Sequence, residues 1–136
     1  MRRDETIGVL QRSCAVAAVR VPGEQQLVRA VEALAEGGMR AVELSYAAVQ
    51  NAGWLVQTVK ENELLVGVGG ITRSFQARES GMLGADFITA AVTAPDVVAA
   101  CKEMDIPCIL TSLTPTEVWR AQEMEADFVK VLAEAL

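Results

Sequence analysis

The sequence contains no histidine. That absence removes Ser-His-Asp and Cys-His catalysis, and the usual zinc-ligand sets, in one stroke. Acid–base work is left to carboxylates, lysine and tyrosine. Cysteine is scarce: Cys14, Cys101 and Cys108 are odd in number and show no CxxC spacing, which reads as reduced, mostly buried thiols of a cytoplasmic protein. Basic residues are outnumbered 12 to 18, for a net charge of −6, whereas a surface for nucleic acid or anionic membrane needs clustered Lys and Arg. No apolar run approaches the roughly 18 residues of a membrane span. The opening Met1-Arg2-Arg3-Asp4-Glu5-Thr6 carries acids and leads into a mixed segment, unlike a secretion signal. Linkers and low-complexity stretches are also missing.

What is present is regular. With 136 residues, 51% hydrophobic and 22% charged, residues 1–136 are expected to form a single domain with a real core. Strand-like segments recur at Ala15–Val19, Ala41–Leu44, Leu64–Val68, Asp86–Thr89, Cys108–Leu110 and Phe128–Val131. Each interval suits one strand, one helix and two short loops. The first helical stripe, Leu27, Ala30, Val31 and Leu34, stops at Gly37-Gly38. Leu55, Val56 and Val59 mark a second helix; Phe75, Met82 and Leu83, closed by Gly84, a third; Val97, Val98 and Cys101 a fourth. Thr114-Pro115-Thr116-Glu117 opens a fifth, with Thr114 as N-cap, Pro115 in the first helical position and Glu117 as the reciprocal partner.

Strands apolar on both faces, alternating with helices, imply an α/β fold with right-handed crossovers. An open doubly wound sheet and part of a (β/α)8 barrel both fit. The even spacing and the charges inside strands favour the barrel: TIM-barrel-like, incomplete, with about six of the eight βα units that closure needs. In either architecture function sits at the C-terminal ends of the strands.

Two charges stand where strands are otherwise apolar. Glu43 interrupts Ala41-Val42-Glu43-Leu44-Ser45, and Lys130 interrupts Phe128-Val129-Lys130-Val131. Alternation sends Val42, Leu44, Val129 and Val131 toward the helices, and Glu43 and Lys130 inward. Both belong to even-numbered strands, which feed the same interior layers of a barrel. A buried structural ion pair is the plainer account, though such a pair costs desolvation and adds little stability. An amine beside a carboxylate also suits Schiff-base chemistry on a carbonyl substrate, with Lys130 as nucleophile and Glu43 moving protons. Gly67-Val68-Gly69-Gly70 looks like a phosphate-cradling loop, but Thr72 stands where a third glycine would be, and a tight strand-to-helix turn explains it better. Cys101 and Cys108 read as core thiols, and Met39, Met82, Met104 and Met124 as packing residues. Packing within the chain is also the simpler reading of Trp54 and Trp119.

Five stretches then resemble one family. They are Ala35-Glu36-Gly37-Gly38-Met39-Arg40-Ala41-Val42-Glu43-Leu44, Val66-Gly67-Val68-Gly69-Gly70, Gly84-Ala85-Asp86-Phe87-Ile88, Thr114-Pro115-Thr116-Glu117 and Asp127-Phe128-Val129-Lys130-Val131. In this order they are similar to the N-terminal two-thirds of the 2-keto-3-deoxy-6-phosphogluconate (KDPG) and 4-hydroxy-2-oxoglutarate (KHG) aldolases. The resemblance implies a class I aldolase that releases pyruvate and an aldehyde, with Lys130 as the Schiff-base lysine and Glu43 as acid/base. It also implies substrate contacts at Arg20, Ser45 and Gly70, a keto-acid substrate, no cofactor, no metal and a homo-oligomer, a trimer in the family.

Departures accompany the matches. The family's Glu-Val-Thr-Leu-Arg is Glu43-Leu44-Ser45-Tyr46-Ala47 here, without the arginine that holds the substrate carboxylate. Gly-Ala-Gly-Thr becomes Gly67-Val68-Gly69-Gly70, Ser-Pro-Gly becomes Thr89-Ala90-Ala91, and the Phe-Pro after the lysine becomes Leu132-Ala133. The loops after strands seven and eight, a usual phosphate site of such barrels, are not among the six units. Three readings follow: a full-length or truncated aldolase; a relative that keeps the fold but binds or assembles; or a different β/α protein that shares fold-level features only.

Overall fold

The computed structural model describes residues 3–133. Its elements are α1 (Arg3–Ser13), β1 (Ala17–Val19), α2 (Glu24–Glu36), β2 (Ala41–Ser45), α3 (Tyr46–Asn51), α4 (Trp54–Glu61), β3 (Leu65–Ile71), α5 (Ser74–Met82), β4 (Phe87–Ala90), α6 (Pro95–Met104), β5 (Cys108–Ser112), α7 (Pro115–Glu123) and β6 (Phe128–Val131). The strands form one sheet in the order β1-β2-β3-β4-β5-β6, and every neighbouring pair is parallel.

The sheet is curled. Strands lie about 4.8 Å apart, so a flat sheet of this width would keep its edges roughly 24 Å from each other. Instead Ala18 of β1 and Lys130 of β6 line a common cavity. Strand alternation sorts the two faces. Val42, Leu44, Val66, Val68, Ile88 and Leu110 point outward into one core shared with Val31, Leu55, Val59, Val97 and Cys101 of the helices. Ala41, Leu65 and Phe87 point inward and pack against Leu10 of α1. The result is a partial (β/α) barrel of five strand–helix units and a sixth strand, open between β1 and β6 among the described residues.

Several local expectations need correction. The N-terminal segment is helical: α1 covers the lower part of the inner face. Its weak periodicity hid it, because the helix buries little beyond Thr6 and Leu10. The glycine run is not a turn after β3 but part of β3 itself, which continues to Ile71. A short extra helix, α3, follows β2 directly, with Ser45 as its N-cap. In α5 the expected stripe faces the wrong way: Phe75, Met82 and Leu83 are exposed, Met82 by 85%, and Ala77 and Ser80 are buried. Small residues win that face because α6 lies close; a Cβ on Gly81 would meet Met104 Sδ at 2.5 Å. Trp54 and Trp119 are exposed rather than packed, and Cys14 is exposed while Cys101 and Cys108 are buried.

The N-cap of α7 matches its motif. Thr114 Oγ1 accepts from the Glu117 amide at 3.3 Å, and the Thr114 hydroxyl donates to Glu117 Oε1 at 2.9 Å.

Candidate active site

Glu43 lies on the inner face of β2 and is buried. A carboxylate there needs space and a counter-charge. The space comes from β3: a Cβ on Gly69 would sit 2.1 Å from Glu43 Oε1. The charge comes from Arg20, just beyond β1. Its Nη2 donates to Glu43 Oε1 at 2.8 Å, and its Nη1 donates to the carbonyls of Val19 (3.0 Å) and Glu43 (3.1 Å). Three bonds from one guanidinium tie the ends of β1 and β2 together and hold the carboxylate through one oxygen.

Lys130 reaches the same interior from β6. Glu43 and Lys130 both line a cavity of about 530 Å3, with Ala18, Thr89, Ile109 and Phe128. The inward direction of both charges follows from alternation, but the anticipated pair does not form. Among the described residues no ion pair joins Lys130 to Glu43, whose partner is Arg20. Nor is Lys130 buried. Its strand has a neighbour on one side only in the described sheet, so solvent reaches the amine.

The strand registers show why these residues converge. Glu43 registers with Gly67 and Gly67 with Phe87; Thr89 lies two residues beyond Phe87 on β4. Thr89 registers with Ile109 and Ile109 with Phe128; Lys130 lies two residues beyond Phe128 on β6. Successive even strands are therefore stepped by two residues, the stagger that accumulates to a shear of 8 around a closed barrel. Glu43, Thr89 and Lys130 consequently form one layer, contributed by β2, β4 and β6.

The other expected contacts fare differently. Ser45 ends β2, but its Oγ accepts from the Ala48 amide at 3.2 Å as the cap of α3. Gly70 is exposed at the top of β3 with φ of 75°, a left-handed conformation that favours glycine; an added Cβ there would meet nothing within 4 Å. Tyr46, in the stretch where the family carries its arginine, turns away and donates its hydroxyl to Glu79 of α5. That bond, reinforced by burial and by the nearby negative charge, raises the phenol above its ordinary range.

Two site residues escaped the sequence reading. Gly69 had a usable signal: it registers with Ser45, beside Glu43, where a side chain would compete for the same volume. Thr89 is the polar residue of β4 with the same inward parity as Lys130. A second hollow of about 610 Å3, lined by Arg40, Lys60 and Asp86 among others, lies at the opposite ends of the strands. The C-terminal ends carry the chemistry in barrels of this type, which favours the Glu43–Lys130 cavity.

Comparison with known proteins agrees with this fold. The family described as KDPG and KHG aldolase matches residues 7–135. A 2-dehydro-3-deoxy-phosphogluconate aldolase of Treponema pallidum (strain Nichols) is 28% identical over 122 residues, covering 89% of this chain and 58% of the relative. A solved 4-hydroxy-2-oxoglutarate/2-dehydro-3-deoxyphosphogluconate aldolase superposes with a TM-score of 0.77 at 25% identity, covering 89% of this chain and 60% of that one. The KDPG aldolase of Legionella pneumophila, solved with pyruvate captured as a covalent carbinolamine, shares the fold at a TM-score of 0.71 and 20% identity, with coverage of 88% and 58%. The chain thus spans about three-fifths of the length of these relatives. By its profile match and its architecture, it belongs to the KDPG and KHG aldolase family.

Proposed function

We propose that the chain is a class I, Schiff-base aldolase-like protein acting on a 2-keto-3-deoxy-6-phosphogluconate or 4-hydroxy-2-oxoglutarate type substrate. One observation carries this reading: an amine and a carboxylate on β6 and β2, in one layer of a family barrel, line one cavity. The unprotonated Lys130 amine adds to the C2 carbonyl, and a proton moves to the new alkoxide to give a carbinolamine. Protonation of the carbinolamine hydroxyl, and its departure as water, then leave the protonated Schiff base. The C3–C4 bond then breaks; its electron pair enters the iminium as an enamine while the C4 hydroxyl proton passes to a base, and the aldehyde departs. Protonation at C3 and hydrolysis free pyruvate and the amine. Glu43 is the proton carrier, through Oε2, because Oε1 is engaged by Arg20. Arg20 holds Glu43 in place and adds a positive charge beside it, without taking over the substrate-carboxylate role of the family's missing arginine.

A second reading has its own support. Lys130 is exposed and Glu43 is committed to Arg20, as suits a catalytically impaired relative that serves as a binding or assembly subunit. Borohydride reduction in the presence of pyruvate, followed by intact mass and peptide mapping, separates the two. The expected result is a single reduced adduct on Lys130, abolished in Lys130→Met. Folded protein with no adduct at Lys130 would overturn the aldolase reading in favour of the second.

A further inference from the structure

Thr89 is 3% exposed, and its Oγ1 is buried with no hydrogen-bond partner among the described residues. A buried hydroxyl is normally satisfied, so this one calls for an account. Its neighbours on β4, Ile88 and Ala90, face the outer core, which leaves Thr89 on the inner face. There it lines the cavity of Glu43 and Lys130 and stands between them in their layer. The other buried hydroxyls without partners among the described residues, Thr93 and Ser112, do not line that cavity.

The charges around Thr89 indicate what it would meet. The Arg20 guanidinium already serves one carboxylate oxygen and two carbonyls. Glu43 accepts and cannot bind an anion while ionised. A small anionic ligand seated against Lys130 therefore finds, besides the Gln11 amide of α1, a buried neutral donor without a partner on the sheet itself, the Thr89 hydroxyl. We propose that Thr89 is a specificity-determining residue that donates a hydrogen bond to the carboxylate of a short 2-oxo acid bound between Glu43 and Lys130. The choice of a 2-oxo acid rests on the function proposed above; the need for an oxygen acceptor rests on the unpaired hydroxyl.

Pyruvate is the probe. Calorimetric titration and borohydride trapping over a pyruvate series are run on the 136-residue chain as wild type, Thr89→Val and Thr89→Ser. Valine keeps the shape and removes the hydroxyl; serine keeps the hydroxyl. Thr89→Val is expected to raise half-saturating pyruvate about tenfold, the loss of one hydrogen bond to a charged group. Thr89→Ser should stay within about twofold, and maximal trapping at Lys130 should be unchanged. If Thr89→Val melts below the assay temperature, Thr89→Ala reads the same loss of the donor. Wild-type affinity in Thr89→Val, equal weakening in the valine and serine variants, or no pyruvate binding by wild type would each overturn the assignment. Binding that depends on the hydroxyl but leaves no trappable adduct would sink the Schiff-base reading and support the role of Thr89. Trapping at Lys130 that ignores the hydroxyl would do the reverse.

Discussion

Tyr46 is the only tyrosine of the chain, so its ionisation can be followed without ambiguity. Its hydroxyl donates to Glu79, and that bond, with burial and the adjacent charge, raises its pKa above the ordinary 10.0. A group whose folded pKa is raised contributes stability that is fully present below the unfolded value and lost as pH rises through the folded one. The phenolate absorbance should therefore titrate higher in the native chain than in urea-unfolded chain, and Glu79→Gln should lower the native midpoint. Coincident native and unfolded midpoints would refute the contact. The single-residue features divide by how local their causes are. The inward direction of Glu43 and Lys130 was legible, because period-two alternation needs only the neighbours in sequence. The Arg20–Glu43 bond was not, since it depends on how a loop end meets the next strand. The exposure of Lys130 was not legible either, because a strand's burial depends on who flanks it. For Cys101, the hydrogen bond with Cys108 and burial push the thiol well up, consistent with its reading as an inert core thiol.

At the level of elements, a small motif repeats. Ala85-Asp86-Phe87 enters β4 and Ala126-Asp127-Phe128 enters β6. Asp86 accepts from the Val66 amide at 2.9 Å while its own amide donates to Val66 O at 2.7 Å. Asp127 does the same with Cys108, at 2.9 and 3.0 Å. Each aspartate thus clips the start of one strand to the one before it and fixes their register, and Lys60 adds an ion pair to Asp86 at 3.5 Å. Asp86→Ala leaves the buried Val66 amide unpaired and should cost about 1–3 kcal/mol, read as a lower midpoint in urea. An unchanged midpoint would show that water replaces the clip. Strand positions were largely legible from the spacing of apolar runs, and β6 agrees residue for residue. The helices were less so. The inward side of α5 is chosen by closeness to α6, which selects Ala77, Ser80 and Gly81 over the larger apolar residues, and hydrophobic pattern alone points the other way.

At the largest scale, the six-stranded sheet has two sides that no described strand pairs with, on β1 and β6. Near β6, Leu113, Trp119 and Val131 line an exposed apolar hollow, with Trp119 64% exposed. Unpaired strand sides flanked by apolar surface promote association. The 136-residue chain should therefore sediment as a concentration-dependent oligomer, and Trp119→Glu combined with Val131→Lys should shift it toward monomer. A sharp, concentration-independent monomer for the wild type would count against this. The barrel class was legible because even spacing and in-strand charges are global regularities written locally. The stagger between strands was not, because register is set by how two strands pair and is written in neither alone.

The glycines of β3 have a consequence for how this interior can change. A Cβ on Gly67 would lie 2.1 Å from the buried ring of Phe87, as one on Gly69 would from Glu43 Oε1. Positions 67 and 87 thus share one volume, and so do 69 and 43. Residues in such contact respond to substitution non-additively. A methyl gained on β3 becomes tolerable only once its neighbour on β4 or β2 has shrunk. Sequence drift through this interior is confined to a narrow sequence of paired moves, and the acid at position 43 is held in place by the side chains its neighbours do without.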